Sequence, residues 1–122
     1  MSAKFPVSFS TYEDFADKTA LLAGVVLDSV IQEVLQFLGY SPRTQALYDR
    51  MRSSEIESHF EERTLTAYNR NTNFRSEICK SDPRPYYYSF VRHWVAAIMK
   101  AEFPDLFKEL PDAFANGVPM SK

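Results

Sequence analysis

A chain of 122 residues with 45% hydrophobic content is long enough for one domain with a modest core and too apolar for general disorder. Three Gly argue against a hairpin-rich β fold, one Cys rules out an internal disulfide, and a net charge of −2 with a pI near 5.7 speaks against a general nucleic-acid binder. Neither a signal peptide nor a membrane span is legible, so the expectation is a cytoplasmic protein.

The first element is a long helix. Ser10 and Glu13 form a capping-box pattern, with Thr11 and Asp14 as a competing register, and Gly39 supplies the stop. Phe15, Leu22, Val26, Val30, Val34, Phe37 and Leu38 cover a broad arc, with Leu21, Val25 and Leu35 outside it. Such a helix runs ~40 Å, against ~35 Å for a compact domain of this size. It therefore spans the molecule, bends or divides, and Gly24 is the expected bend or close-approach point.

Ser41-Pro42 reads as N-cap and first residue of a short helix carrying Ala46, Leu47, Tyr48 and Met51. Ser54 and Glu57 make a second capping box, opening a third helix to about residue 68. Its stripe of Ile56, Phe60, Ala67 and Tyr68 is narrow, which predicts a peripheral position. The run 69–73 is an Asn-rich connection, and 74–80 fits one or two helical turns or a short strand.

Pro85 opens the next long helix, to about residue 103. Tyr87, Phe90, Val91, Trp94, Val95 and Ile98 share one face, and Ser89, Arg92, His93 and Lys100 share the other. Pro104 and Pro111 each start a short turn, and Asn116-Gly117 ends the ordered part. The fold class predicted is all-α: a single-domain bundle of five or six helices, with the two longer helices, near 11–38 and 86–102, at its centre. The predicted core is Phe15, Leu22, Val26, Val30, Val34, Phe90, Val91, Trp94 and Ile98.

Catalytic chemistry finds no motif. His59 and His93 lie in different helices, and Glu55, His59 and Glu62 on one helical face read as a solvated face rather than a zinc site. Cys79 has no nucleophile signature, no hydroxyl sits in a glycine elbow, and Gly24, Gly39 and Gly117 are isolated, so no phosphate loop exists. Glu13-Asp14 and Glu61-Glu62 are adjacent in sequence, so their side chains diverge on a helix. No cofactor and no metal is expected. A helical hydrolase or nuclease built from scattered Arg, His and Glu is a third class, hidden from sequence spacing.

Charge is uneven. Residues 1–62 carry 5 basic against 10 acidic side chains, residues 63–100 carry 7 against 2, and residues 101–122 carry 2 against 4. A basic middle either attracts an anionic partner or pairs internally. The middle also holds the run DPRPYYYSFVRHW at 82–94, in which three consecutive tyrosines on a helix cannot all be core. Exposed Tyr beside Arg is the composition of an interface anchor, whereas tyrosines bonding internal polar groups are merely structural.

The leading expectation is therefore a non-enzymatic protein-binding module (an assembly chaperone, adaptor or regulatory subunit). It would hold a peptide or partner helix with an acidic or carboxylate feature in an aromatic, arginine-lined groove. Tyr86, Tyr88, Arg84, Arg92 and His93 are the candidate partner-binding residues, the tyrosines giving apolar contact and the arginines anion recognition. The alternative is a nucleic-acid-binding regulator using the basic 63–92 region. A monomer or a homodimer is expected, the apolar spread of the first helix and the aromatic excess being what favours self-association.

Overall fold

The computed structural model describes residues 12–78 and 84–120, with side chains described for 23–77 and 86–120. Phe15 and Leu22 of the predicted core, and the capping residues Ser10 and Thr11, fall outside those bounds. Seven helices appear among the described residues: α1 Tyr12–Leu38, α2 Pro42–Met51, α3 Ser54–Arg70, α4 Thr72–Ile78, α5 Arg84–Glu102, α6 Pro104–Phe107 and α7 Asp112–Ala115. The fold is all-α, with one more helix than the five or six expected because the turns after Pro104 and Pro111 are separate elements.

Local chemistry sets most of the boundaries. Gly39 adopts φ 87°, and its N–H donates to the Leu35 carbonyl at 2.8 Å, closing α1. At α2, the Ser41 hydroxyl accepts from the Thr44 N–H at 3.2 Å and the Thr44 hydroxyl accepts from the Ser41 N–H at 2.8 Å, a reciprocal cap. The cap of α3 is Ser53, one residue before the expected Ser54. Ser53 is extended, accepts from the Ile56 N–H, and donates its hydroxyl proton to the Arg50 carbonyl at 2.7 Å. That last bond ties the α2–α3 turn to Ser53 and leaves Ser54 as the first helical residue. The described part of the segment left open between helix and strand, up to Ile78, is helical: Asn71 Oδ1 accepts from the Phe74 N–H at 3.0 Å and opens α4.

α1 is one uninterrupted helix of 27 residues. Gly24 is not a close-approach point, since a Cβ added there would meet nothing within 4 Å. Val26, Val30, Val34 and Val91 are fully buried and Trp94 nearly so, as predicted, while Phe90 and Ile98 are only half-buried at the edge. Leu35 is buried despite lying outside the predicted arc, and Val25 is exposed.

The position of α3 departs from expectation. A narrow stripe predicted the periphery, yet Ile56, Phe60, Thr64 and Tyr68 are buried and α3 packs against α1 as α5 does. Phe60 and Tyr68 carry enough ring area that one thin stripe suffices to seat a helix in the core. The centre is thus three helices, α1, α3 and α5, sharing one hydrophobic cluster. No helix among the described residues is long and apolar enough to cross a membrane.

α2 is tied to α5 and α6 by forked ion pairs. Arg43 grips Asp105 with two bonds of 2.8 Å, and Arg50 grips Glu102 at 2.8 and 3.1 Å and Glu55 at 2.5 Å. The Arg43 pairing draws the Asp105 carboxyl down to about 2 and raises the Arg43 guanidinium. The Arg43–Asp105 and Arg50–Glu102 pairs join residues 62 and 52 positions apart in the chain. Between the acidic first half and the basic middle, Glu33 pairs with Arg92.

Candidate functional site

α5 presents its aromatics in two directions. Inward, Tyr87 is completely buried; its O–H donates to Thr64 Oγ1, whose own proton goes to the Phe60 carbonyl at 2.7 Å. Burial pushes the Tyr87 phenol well above its ordinary value. Phe60, Phe74, Tyr86, Tyr87, Phe90 and Trp94 form a continuous chain of edge-on and tilted rings with centroids 4.8 to 6.3 Å apart.

Of the five side chains expected to form one partner face, the four that are described engage different parts of the molecule. Tyr86 leans toward α4, with its ring on Phe74 and Phe90 and its hydroxyl accepting from Asn73 Nδ2 at 3.1 Å. Tyr88 is half-buried beneath the Arg92 guanidinium, 5.3 Å from ring centre to carbon. Arg92 was expected on the outward face; it is instead 9% exposed. Its Nε donates to Glu33 Oε1 at 3.1 Å and its Nη1 to the Gly117 carbonyl at 3.4 Å. His93 is exposed, and its Nδ1–H donates to the Ala115 carbonyl at 2.9 Å. The Arg84 side chain lies outside the described residues.

The cause is the C-terminal segment, which folds back over the outward face of α5. Phe114 is completely buried, and Gly117, at φ 85°, packs so closely on α5 that a Cβ would sit 2.8 Å from the Ser89 carbonyl oxygen. The Met120 N–H then donates to Glu33 Oε2 at 3.0 Å. A sequence pattern confined to 82–94 carries no sign of which distant segment covers its polar face.

Aromatic rings and arginines do meet at a groove, between α3 and α5. Phe60 against Trp94 and Thr64 against Tyr87 fix the two helices antiparallel. Along the outer side of this contact runs a groove of about 290 Å³, lined by Glu62, Arg63, Thr66, Ala67, Arg70, Phe90 and Trp94. The Arg63 guanidinium lies over the Trp94 ring at 4.9 Å, and neither Arg63 nor Arg70 has an ion-pair partner among the described residues. The legible signal was the spacing: positions 63, 66, 67 and 70 recur at i, i+3, i+4 and i+7, so two arginines flank two small residues on one face of α3.

Two further clefts flank Gln32. One of about 400 Å³, between α1 and Met120, is lined by Asp28, Ser29, Gln32, Glu33, Gln36, Phe37 and Met120, and its Glu33 is already paired with Arg92 and the Met120 amide. The other, of about 220 Å³, lies between α1 and α2 beside the exposed Tyr40. Among the described residues no three His, Cys, Asp or Glu side chains come together to hold a metal ion. Comparison of the chain with protein-family models, with curated proteins and with solved structures finds no match.

Proposed function

We propose that this chain is a non-enzymatic, cytoplasmic protein-binding module, of the kind an adaptor, assembly chaperone or regulatory subunit supplies, and that its binding surface is the α3–α5 groove. The observation that carries this reading is the combination of Phe90 and Trp94 walls with Arg63 and Arg70 on the facing helix. Trp and Arg are the side chains that anchor interfaces, because each offers a large contact area with a polar end. A groove of about 290 Å³ suits one or two side chains of a larger partner.

The nucleic-acid alternative has less support. It needs a continuous row of free cations, yet Arg63 lies on Trp94, Arg75 donates to the Tyr68 and Asn69 carbonyls, and Arg92 pairs with Glu33. Within 63–92, Arg70 is the basic side chain that is exposed among the described residues and makes none of these contacts.

Selection of displayed random peptides on the full chain, followed by measurement of the selected peptides on a Thr66→Trp variant, tests the proposal. Thr66 is exposed, so the indole fills the groove without disturbing the core. Selected peptides are expected to lose at least tenfold in affinity on Thr66→Trp by fluorescence anisotropy. Peptides that bind both proteins equally would remove the groove from the reading, and labelled single-stranded DNA and RNA in the same assay measure the alternative.

A further inference from the structure

The groove is uneven along its length, and the unevenness selects a ligand. At one end Glu62 stands beside Arg63, whose guanidinium is already laid on the Trp94 ring. At the other end Arg70 is exposed and has no carboxylate partner among the described residues. Its five N–H donors in a fixed fork match a carboxylate. A second carboxylate is disfavoured at the far end by Glu62. One anion, at one end, is what the charges ask for.

The spacing between anchor and anion follows from α3. Thr66 and Ala67, the small residues that leave room above Phe90 and Trp94, precede Arg70 by four and three positions. A side chain seated there lies ~5 Å along the axis from Arg70, about one helical turn. The backbone of α3 and α5 is satisfied within each helix, so the groove offers no strand edge to extend. A partner segment lying across two helices must therefore satisfy its own backbone, which a helix does.

We propose that the groove receives an amphipathic helix of a partner protein, with one apolar side chain seated between Phe90 and Trp94 and one carboxylate, a single turn away, held by Arg70. This rests on the functional reading above and specifies its ligand. The carboxylate lies on the Arg70 side of the anchor; an acid on the Glu62 side is rejected.

The test uses the full chain and fluorescein-labelled 15-residue helical peptides with one Leu or Phe anchor. The residue one turn before or after the anchor is Glu, Gln or Lys. The Glu peptide is expected to bind at least threefold tighter than its Gln counterpart, in keeping with a partly exposed pair. Arg70→Gln should abolish that difference, Arg70→Glu should transfer the preference to the Lys peptide, and Thr66→Trp should weaken all three peptides. Equal affinity of wild type for Glu and Gln peptides overturns the assignment of the carboxylate to Arg70. A preference that survives Arg70→Gln overturns it as well. If no designed helix binds while library-selected peptides still depend on Thr66, the helical ligand is wrong and the functional reading stands. A labelled oligonucleotide that binds tighter than every peptide and depends on Arg70 overturns both.

Discussion

The two sides of α5 carry similar chemistry to different ends. On the side facing α7 and the C-terminal segment, Arg92 lies over Tyr88 but is locked by Glu33 and the Gly117 carbonyl. On the side facing α3, Arg63 lies over Trp94 and Arg70 stands exposed nearby, with no carboxylate claiming either among the described residues. An arginine beside a ring is thus not a binding site by composition. Whether it can meet a ligand depends on whether some other part of the chain has already met it.

The largest effect is expected on the α3 side, at Trp94. Trp94 forms the groove wall and packs edge-on against Phe60, Tyr87 and Phe90. Trp94→Ala should cost ~3–5 kcal/mol by cavity formation, read from urea melts. A loss below about 1 kcal/mol would mean that the ring chain is not load-sharing core. Next comes the locked side. Arg92→Ala leaves the Glu33 carboxylate, 21% exposed as a side chain, without its cation. The expected cost is about 2–3 kcal/mol, with a double-mutant coupling of at least about 1 kcal/mol against Glu33→Gln. Arg70→Ala in the same melts should change stability by less than about 0.5 kcal/mol. Similar losses for Arg92 and Arg70 would erase the distinction between a committed arginine and a free one.

Gly117 tests the lock from its other half. Gly117→Ala forces a side chain into φ 85° and onto the Ser89 carbonyl, so a loss of about 2 kcal/mol is expected. Gly24→Ala, in mid-helix with open space around it, should instead stabilise by about 0.5–1 kcal/mol. Opposite signs from thermal melts of the two variants would confirm that one glycine is held by packing and the other is not.

How far the sequence reached follows the range of the forces involved. Caps and stops act over four residues, so Ser41, Pro42, Gly39 and Gly117 were legible, and the error at α3 was a single residue, where the Ser53 bond to Arg50 decides. The buried valines of α1 and α5 followed from periodicity. The burial of α3 and of Arg92 did not. Each depends on a partner far away in sequence: α1 for the α3 stripe, and residues 33 and 117 for Arg92. The aromatic run of α5 contributes Phe90 and Trp94 to the groove on its α3 flank, and the cations that line this groove are Arg63 and Arg70 rather than Arg92.

A smaller effect is expected at the exposed Arg43–Asp105 ion pair, which lacks the burial that makes Glu33–Arg92 costly to break. The two Arg43 hydrogen bonds lower the Asp105 carboxyl from its ordinary 3.8 to about 2. A carboxyl whose pKa is lower in the folded chain contributes stability that is complete above about 4 and disappears as the pH falls through about 2. Wild type should therefore lose its Tm advantage over Asp105→Asn between pH 4 and pH 2, and the gap at pH 7 should shrink in 0.5 M salt because both side chains face water. Glu33→Gln, compared with wild type at pH 7, should keep more of its Tm deficit in that salt, since Arg92 is nearly sealed from solvent. Equal salt sensitivity at the two sites would mean that the C-terminal segment does not shield Arg92, and the contrast between the two sides of α5 would fall with it.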